Sequence, residues 1–285
     1  MPHISARDGV RLYYEEAGSG TPVVFVHEYA GDWRSFEAQM RYFTRAHRCV
    51  TYSQRGYPPS DVPEDGTSYG QNIARDDVLA LMDALAIDKA HIVGHSMGAY
   101  TALHIGINYP NRCISVAAAG CGWGSTPDAR QREAMKALAA ETGKMFAEEP
   151  IERAAAKYAD APMRQAQKHK DPRGHAEFAR MLAEHSALGH AQTMLNLQLK
   201  RPTLWEMEDA LKRFSVPLLV IVGDEDGPCI DGSVFLKRTV PTAGLLVIPR
   251  SGHNIPSEEP AMFNAALADL FASAEAGRWL AHKPI

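Results

Sequence analysis

Residues 94–98 read Gly-His-Ser-Met-Gly and follow directly on the apolar run His91-Ile92-Val93. A serine hydroxyl is a weak nucleophile in water. It becomes useful when it is held at an accessible point, with a base beside it and donors aimed at the oxyanion its attack creates. A strand that turns sharply into a helix supplies that point. The flanking glycines permit the tight turn and the close approach of strand and helix. Ser96 then sits at the tip, with the Met97 N–H facing the same space. Taken alone the pentapeptide is a weak signal, because a glycine-rich turn with a solvated serine reads the same way. Its flanks carry more weight: a buried-strand pattern precedes it, and Ala99 to Tyr109 reads as a helix ended by Pro110.

A nucleophilic serine needs a base, and the base needs a group that orients it. In a strand–turn–helix setting of this kind the partners follow in the order serine, acid, histidine. His253, in Arg250-Ser251-Gly252-His253-Asn254, lies just past the last strand pattern and is the expected base; His282, in the tail, is the poorer choice. The acid is expected in Gly223-Asp224-Glu225-Asp226-Gly227-Pro228. Asp226 is preferred because the strand ends at Gly223 and the turn has to reach His253; Asp224 is the alternative, and Glu225 reads as solvated. The oxyanion requires a second N–H from the loop after an early strand. That loop is Val26-His27-Glu28-Tyr29-Ala30-Gly31-Asp32, and the donor is assigned to Tyr29, converging with Met97.

The elements that would position these groups alternate along the chain. Val10 to Glu16 alternates apolar and polar like an edge strand, and Pro22 to Val26 is a continuous apolar run. Trp33 to Arg45 reads as a helix, Arg48 to Ser53 as a strand, and Tyr69 to Ala86 as a helix with Val78, Leu81, Met82 and Leu85 on one face. Ile114 to Ala119 is a strand. The rhythm breaks at Gly120-Cys121-Gly122-Trp123-Gly124, and from about Ser125 to Phe214 the chain reads as helix alone. Leu218 to Val222 restores the strand pattern, followed by a helix over Asp231 to Thr239, a strand over Leu245 to Ile248 and a helix over Glu258 to Ala272. Alternating strands and helices predict a mostly parallel, doubly wound α/β sheet. The expected division is a core of residues 1–124 and 214–285 with a helical cap, or lid, inserted over 125–213. The cap enters and leaves at the carboxyl end of the sheet, where ligands bind in open α/β folds.

The 285 residues suit one large domain with such an insertion, and the net charge of −4 gives no reason to expect nucleic acid or an acidic membrane as partner. The 12 histidines show no metal-ligand spacing, so neither a metal nor a cofactor is expected. The 4 cysteines, Cys49, Cys113, Cys121 and Cys229, are scattered and read as reduced thiols, which suggests a cytoplasmic protein. Met1 to Val10 is polar, has no signal-peptide core, and no run is long enough to span a membrane.

Over almost its whole length the chain resembles the α/β-hydrolase superfamily, in particular the Ser-His-Asp esterase-like members with a helical cap. The resemblance rests on Ser96 in Gly94-His95-Ser96-Met97-Gly98, Asp226 in Gly223-x-x-Asp226, His253 in Gly252-His253 and the His27 loop. Arg55-Gly56-Tyr57 and Glu258-Glu259-Pro260 resemble the family's Arg-Gly loop and last-helix start. Some relatives place the acid after the preceding strand; here that stretch has no carboxylate until Asp128, which favours Asp226. Two departures stand out. The loop usually reads His-Gly and here reads His27-Glu28, so Glu28 either sits beside the oxyanion hole or, as expected, pairs with Arg55 or Arg34. Ser53-Gln54 precedes Arg55 where relatives often carry an aspartate.

The resemblance implies a serine hydrolase that cleaves a small carboxylic ester, thioester or lactone through an acyl-enzyme. The cap is rich in methionine, and from Trp33, Trp123, Met145 and Met181 some are expected to face a small-molecule substrate with an apolar or aromatic group. Alternatives on the same triad are carbon–carbon hydrolysis of a vinylogous diketone, with Arg55, Arg34 or Arg180 holding the substrate carboxylate, and cofactor-free oxygenation. A hydrolase-fold ligand receptor is the non-enzyme reading. A homo-oligomer is possible.

Overall fold

The computed structural model describes residues 2–281; His282 lies outside the described residues. Eight strands form one sheet: β1 (His3–Ser5), β2 (Arg11–Ala17), β3 (Thr21–Val26), β4 (His47–Tyr52), β5 (Ala90–His95), β6 (Cys113–Ala119), β7 (Leu218–Gly223) and β8 (Ala243–Ile248). They lie in the order β1-β2-β4-β3-β5-β6-β7-β8. The pairings β1–β2 and β2–β4 are antiparallel, and all pairings from β4 to β8 are parallel. This is the mostly parallel sheet of the α/β-hydrolase fold.

The continuous apolar runs are buried on both faces. Val24, Val26, Ile92, Val116, Ala118, Leu218 and Val220 point into a core shared with α2 (Gln71–Ala84) and α3 (Met97–Asn108). Their neighbours Val23, Phe25, Val93, Ala117, Ala119, Leu219 and Ile221 point to the opposite core, where Phe263, Leu267 and Phe271 arrive from the last long helix. The period of two along each strand thus feeds two cores, as expected of a sheet covered on both sides.

Several boundaries differ from expectation for local reasons. The helix expected over 33–45 is a 3-10 turn, Trp33–Phe36, capped by Asp32, followed by α1 (Glu37–Phe43). The last helix is divided into α11 (Ile255–Glu258) and α12 (Pro260–Glu275). Pro260 disfavours helical geometry at the residue before it, and Glu259 has φ −133°. β1 was not anticipated: it has three residues and buries Ile4 alone, which leaves almost no pattern to read.

Between β6 and β7 the chain is helical: α4 (Ala129–Glu148), α5 (Ile151–Ala159), α6 (Gln165–Lys170), α7 (Pro172–Ala183), α8 (Ala187–Thr193) and α9 (Glu208–Lys212). A π-helical turn, Met194–Gln198, continues α8. A third apolar cluster joins Phe146, Met194 and Leu197 of this block to Tyr29, Tyr57 and Met97 of the sheet-end loops. α8 approaches the core so closely that a Cβ at Gly189 would stand 1.8 Å from the Gly56 carbonyl oxygen. After β7, α10 (Gly227–Thr239) leads into β8. No helix among the described residues is long and apolar enough to cross a membrane.

Candidate active site

Ser96 occupies the turn between β5 and α3 with φ 53° and ψ −108°, a backbone conformation that is strained for a side-chain-bearing residue. Its N–H donates to the Ala119 carbonyl at 2.7 Å, which pins the turn to the end of β6. Both motif glycines are required by close approach. A Cβ at Gly94 would lie 2.2 Å from the Gly98 carbonyl oxygen, and one at Gly98 would lie 2.0 Å from that of Val26. The Met97 N–H opens α3, where the first amides of a helix have no partner within it and carry the positive end of its dipole.

The Ser96 hydroxyl donates to Nε2 of His253 at 2.8 Å. Nδ1–H of His253 donates to Oδ2 of Asp226, also at 2.8 Å. The carboxylate that meets His253 is that of Asp226; Asp224 instead accepts from the Ser251 N–H at 3.3 Å. Ser96 is 7% exposed, His253 2% and Asp226 0%. Burial pushes the Asp226 carboxyl up, but the charge and hydrogen bond of His253 prevail and hold it below its ordinary value.

Two side chains fix the His253 loop that sequence reasoning had not assigned there. Nε2–H of His95 donates to the His253 carbonyl at 2.7 Å, and burial lowers the His95 pKa to about 4, so the ring is neutral. The Glu258 carboxylate accepts from the N–H groups of Gly252 at 2.8 Å and Asn254 at 3.1 Å, which straddle His253. The Glu-Glu-Pro motif is thus a clamp on the loop that carries His253. The cap touches this loop as well: the Met163 carbonyl accepts from the His253 N–H at 3.3 Å, and Asn254 donates to Gln167 at 3.0 Å.

The loop after β3 is pinned at its first residue. Nδ1–H of His27 donates to the Glu28 carbonyl at 2.6 Å, its Nε2 accepts from the Gln54 N–H at 2.9 Å, and the Gln54 amide donates back to the His27 carbonyl at 2.8 Å. Gln54, the residue that departs from the family pattern, holds this loop. Burial lowers His27 to about 4, consistent with one neutral tautomer making both bonds.

Glu28 does not pair with Arg55 or Arg34. Its partner is Arg164 of the cap, which reaches Oε1 through Nη1 at 2.8 Å and Oε2 through Nη2. The expected arginines are already engaged: Arg55 by Asp77 and Asp8, Arg34 by Asp32 and Glu184. Arg164 is fully buried, with its guanidinium 4.8 Å from the Phe178 ring centroid. Long-range pairing of residues 28 and 164 leaves no local spacing to read.

Of the four side chains expected to meet the substrate, Trp123 and Met145 pack against the cluster around Tyr29 and Met97. Trp33 packs instead on Tyr13, with ring centroids 5.5 Å apart, because the 3-10 turn carries it toward the first strands. Met181 is half-buried on α7 and is not part of that cluster. In the same cluster Phe146 stacks on His190 with centroids 4.5 Å apart, and the Tyr29 hydroxyl donates to the His190 carbonyl at 3.0 Å.

Asp226, Cys229 and His253 present donor atoms within 4.8 Å of one another. They do not make a good metal site. The Asp226 and His253 atoms are joined to each other, and burial holds the Cys229 thiol well above its ordinary pKa, where it donates to the Gly120 carbonyl at 3.3 Å.

The sequence matches the alpha/beta hydrolase fold family over residues 21–260. It is 27% identical over 271 residues to 3-oxoadipate enol-lactonase 1 of Acinetobacter baylyi, covering 91% of this chain and 92% of that protein. It is 28% identical over 270 residues to a 2-hydroxy-6-oxo-6-phenylhexa-2,4-dienoate hydrolase of Burkholderia cepacia, covering 92% of each. Among solved structures, a thermophilic esterase from Thermogutta terrifontis superimposes with a TM-score of 0.83 at 23% identity, over 96% of this chain and 98% of that one. With a Gly-x-Ser-x-Gly turn at the sheet's carboxyl end and a family match across most of its length, the chain belongs to the alpha/beta hydrolase fold family.

Proposed function

We propose that this alpha/beta hydrolase is a serine esterase or lactonase that cleaves a small, uncharged carboxylic ester, thioester or lactone through an acyl-enzyme. The observation that carries this reading is the continuous hydrogen-bonded line Ser96–His253–Asp226. His253 takes the Ser96 proton as Oγ attacks the carbonyl, Asp226 steadies the imidazolium, and the N–H groups of Tyr29 and Met97 receive the oxyanion. In support of the last assignment, Tyr29 and Met97 pack in one cluster beside the nucleophile. The aromatic and methionine side chains packed around Tyr29 and Met97 favour an apolar acyl or alcohol group.

Carbon–carbon hydrolysis of a carboxylate-bearing diketone is supported less well. Arg55 and Arg34 are each held by one buried acid, Asp77 and Asp32, and one exposed acid, Asp8 and Glu184, and Arg180 is paired with Glu184 and Glu177. Arg164, the guanidinium at the site, is taken up by Glu28. A panel of nitrophenyl esters, acyl thioesters and lactones tests the reading. Turnover in the wild-type protein should fall by roughly 10³-fold or more in Ser96→Ala; undiminished ester turnover in that variant contradicts it.

A further inference from the structure

The acylation chemistry above makes no use of Glu28, although its carboxylate stands at the reacting atoms. Oε2 of Glu28 is 4.0 Å from Nε2 of His253, the nitrogen that accepts from Ser96. Two atoms that far apart do not bond directly, yet one water can sit between them at about 2.8 Å from each. Burial pushes the Glu28 carboxyl up, but the charge and paired hydrogen bonds of Arg164 prevail and hold it at about 2. The group is therefore an acceptor and a poor base. Arg164 also offsets the repulsion that a bare carboxylate would exert on a nearby oxyanion.

We propose that Glu28 is a catalytic residue of deacylation alone: with His253 it binds the hydrolytic water and turns its lone pair toward the acyl carbon on Ser96. The inference rests on the serine-hydrolase reading above. One water hydrogen points to Nε2 of His253, which takes that proton as the water oxygen bonds to the carbonyl carbon. The other points to Glu28, which stays ionised. The tetrahedral intermediate then collapses, the bond from carbon to Ser96 Oγ breaks, and His253 returns its proton to Oγ. The carboxylic acid leaves with the water oxygen. In acylation the nucleophile is Ser96 itself, already held by His253, so no water has to be placed.

Stopped-flow and quenched-flow mass analysis with p-nitrophenyl acetate separates the two half-reactions. In Glu28→Gln the burst rate constant should stay within about threefold of wild type. Steady-state turnover should fall about 10–100-fold, and acetyl-Ser96 should accumulate. Hydroxylamine, a stronger nucleophile that needs less activation, should speed release of the acyl group. Burst and steady-state rates falling together, or turnover left unchanged, would overturn the proposal. Because Glu28→Gln strands the Arg164 charge, the double variant Glu28→Gln/Arg164→Met is measured alongside. It should show the same accumulation, and wild-type deacylation in it would equally overturn the proposal. If wild-type protein forms no acetyl-Ser96 at all, the serine-hydrolase reading fails. If it does and the variants accumulate no more of it, only the role of Glu28 fails.

Discussion

Serine, histidine and aspartate at 96, 253 and 226 could be picked out from the chain because each sits directly after a strand, in a turn with its own glycine. The choice between Asp226 and Asp224 rested on reach, and the bond from His253 to Asp226 Oδ2 at 2.8 Å agrees with that choice. Asp226→Asn should accordingly lower ester turnover by roughly 10⁴-fold, because it stabilises the wrong imidazole tautomer. Asp224→Asn, in contact with the Ser251 backbone, should stay within about threefold of wild type. Steady-state assays of the two variants check this, and equal losses would contradict it. Glu28 was visible as an oddity, but its partner was not. The pairing joins residues 136 positions apart, and nothing local to either marks the other.

At the scale of elements, period and composition located seven of the eight strands among the described residues, most of the parallel ones as apolar runs and β2 as an apolar–polar alternation. What escaped was β1, too short to show a period, and the break at Glu259. The packing of the cap escaped too. Its helices are amphipathic with several small-residue faces, and the sequence does not say which face meets the core. The structure ties the cap down through Arg164 on Glu28 and through His185, whose Nε2 lies 3.1 Å from Asp32. Arg164→Met leaves a buried carboxylate without its counter-charge and should cost about 3 kcal/mol of stability. Much of that should return in the double variant with Glu28→Gln, where neither charge remains. Chemical denaturation measures both; strictly additive losses would contradict the pairing as an energetic unit.

Considered as a whole, the molecule buries several neutral imidazoles. His27, His91, His95 and His104 are each lowered to about 4, chiefly by burial. The unfolded chain takes up these protons near the ordinary histidine value of about 6.5, whereas the folded chain resists until about 4. Between those limits the unfolded state binds more protons, so stability should fall as the pH drops from about 6.5 to about 4. Above about 6.5 these groups should have no further effect. Melting temperature recorded across that range at constant ionic strength checks the sign; a flat profile would contradict the buried-neutral assignment.

The reading above stands or falls on Ser96 being an activated nucleophile. Intact-mass analysis after treatment with a fluorophosphonate tests it most directly and needs no knowledge of the substrate. The account predicts one adduct per chain, mapping to Ser96 and absent in both Ser96→Ala and His253→Ala. A well-folded wild-type protein that acquires no adduct, or one that maps elsewhere, would contradict it.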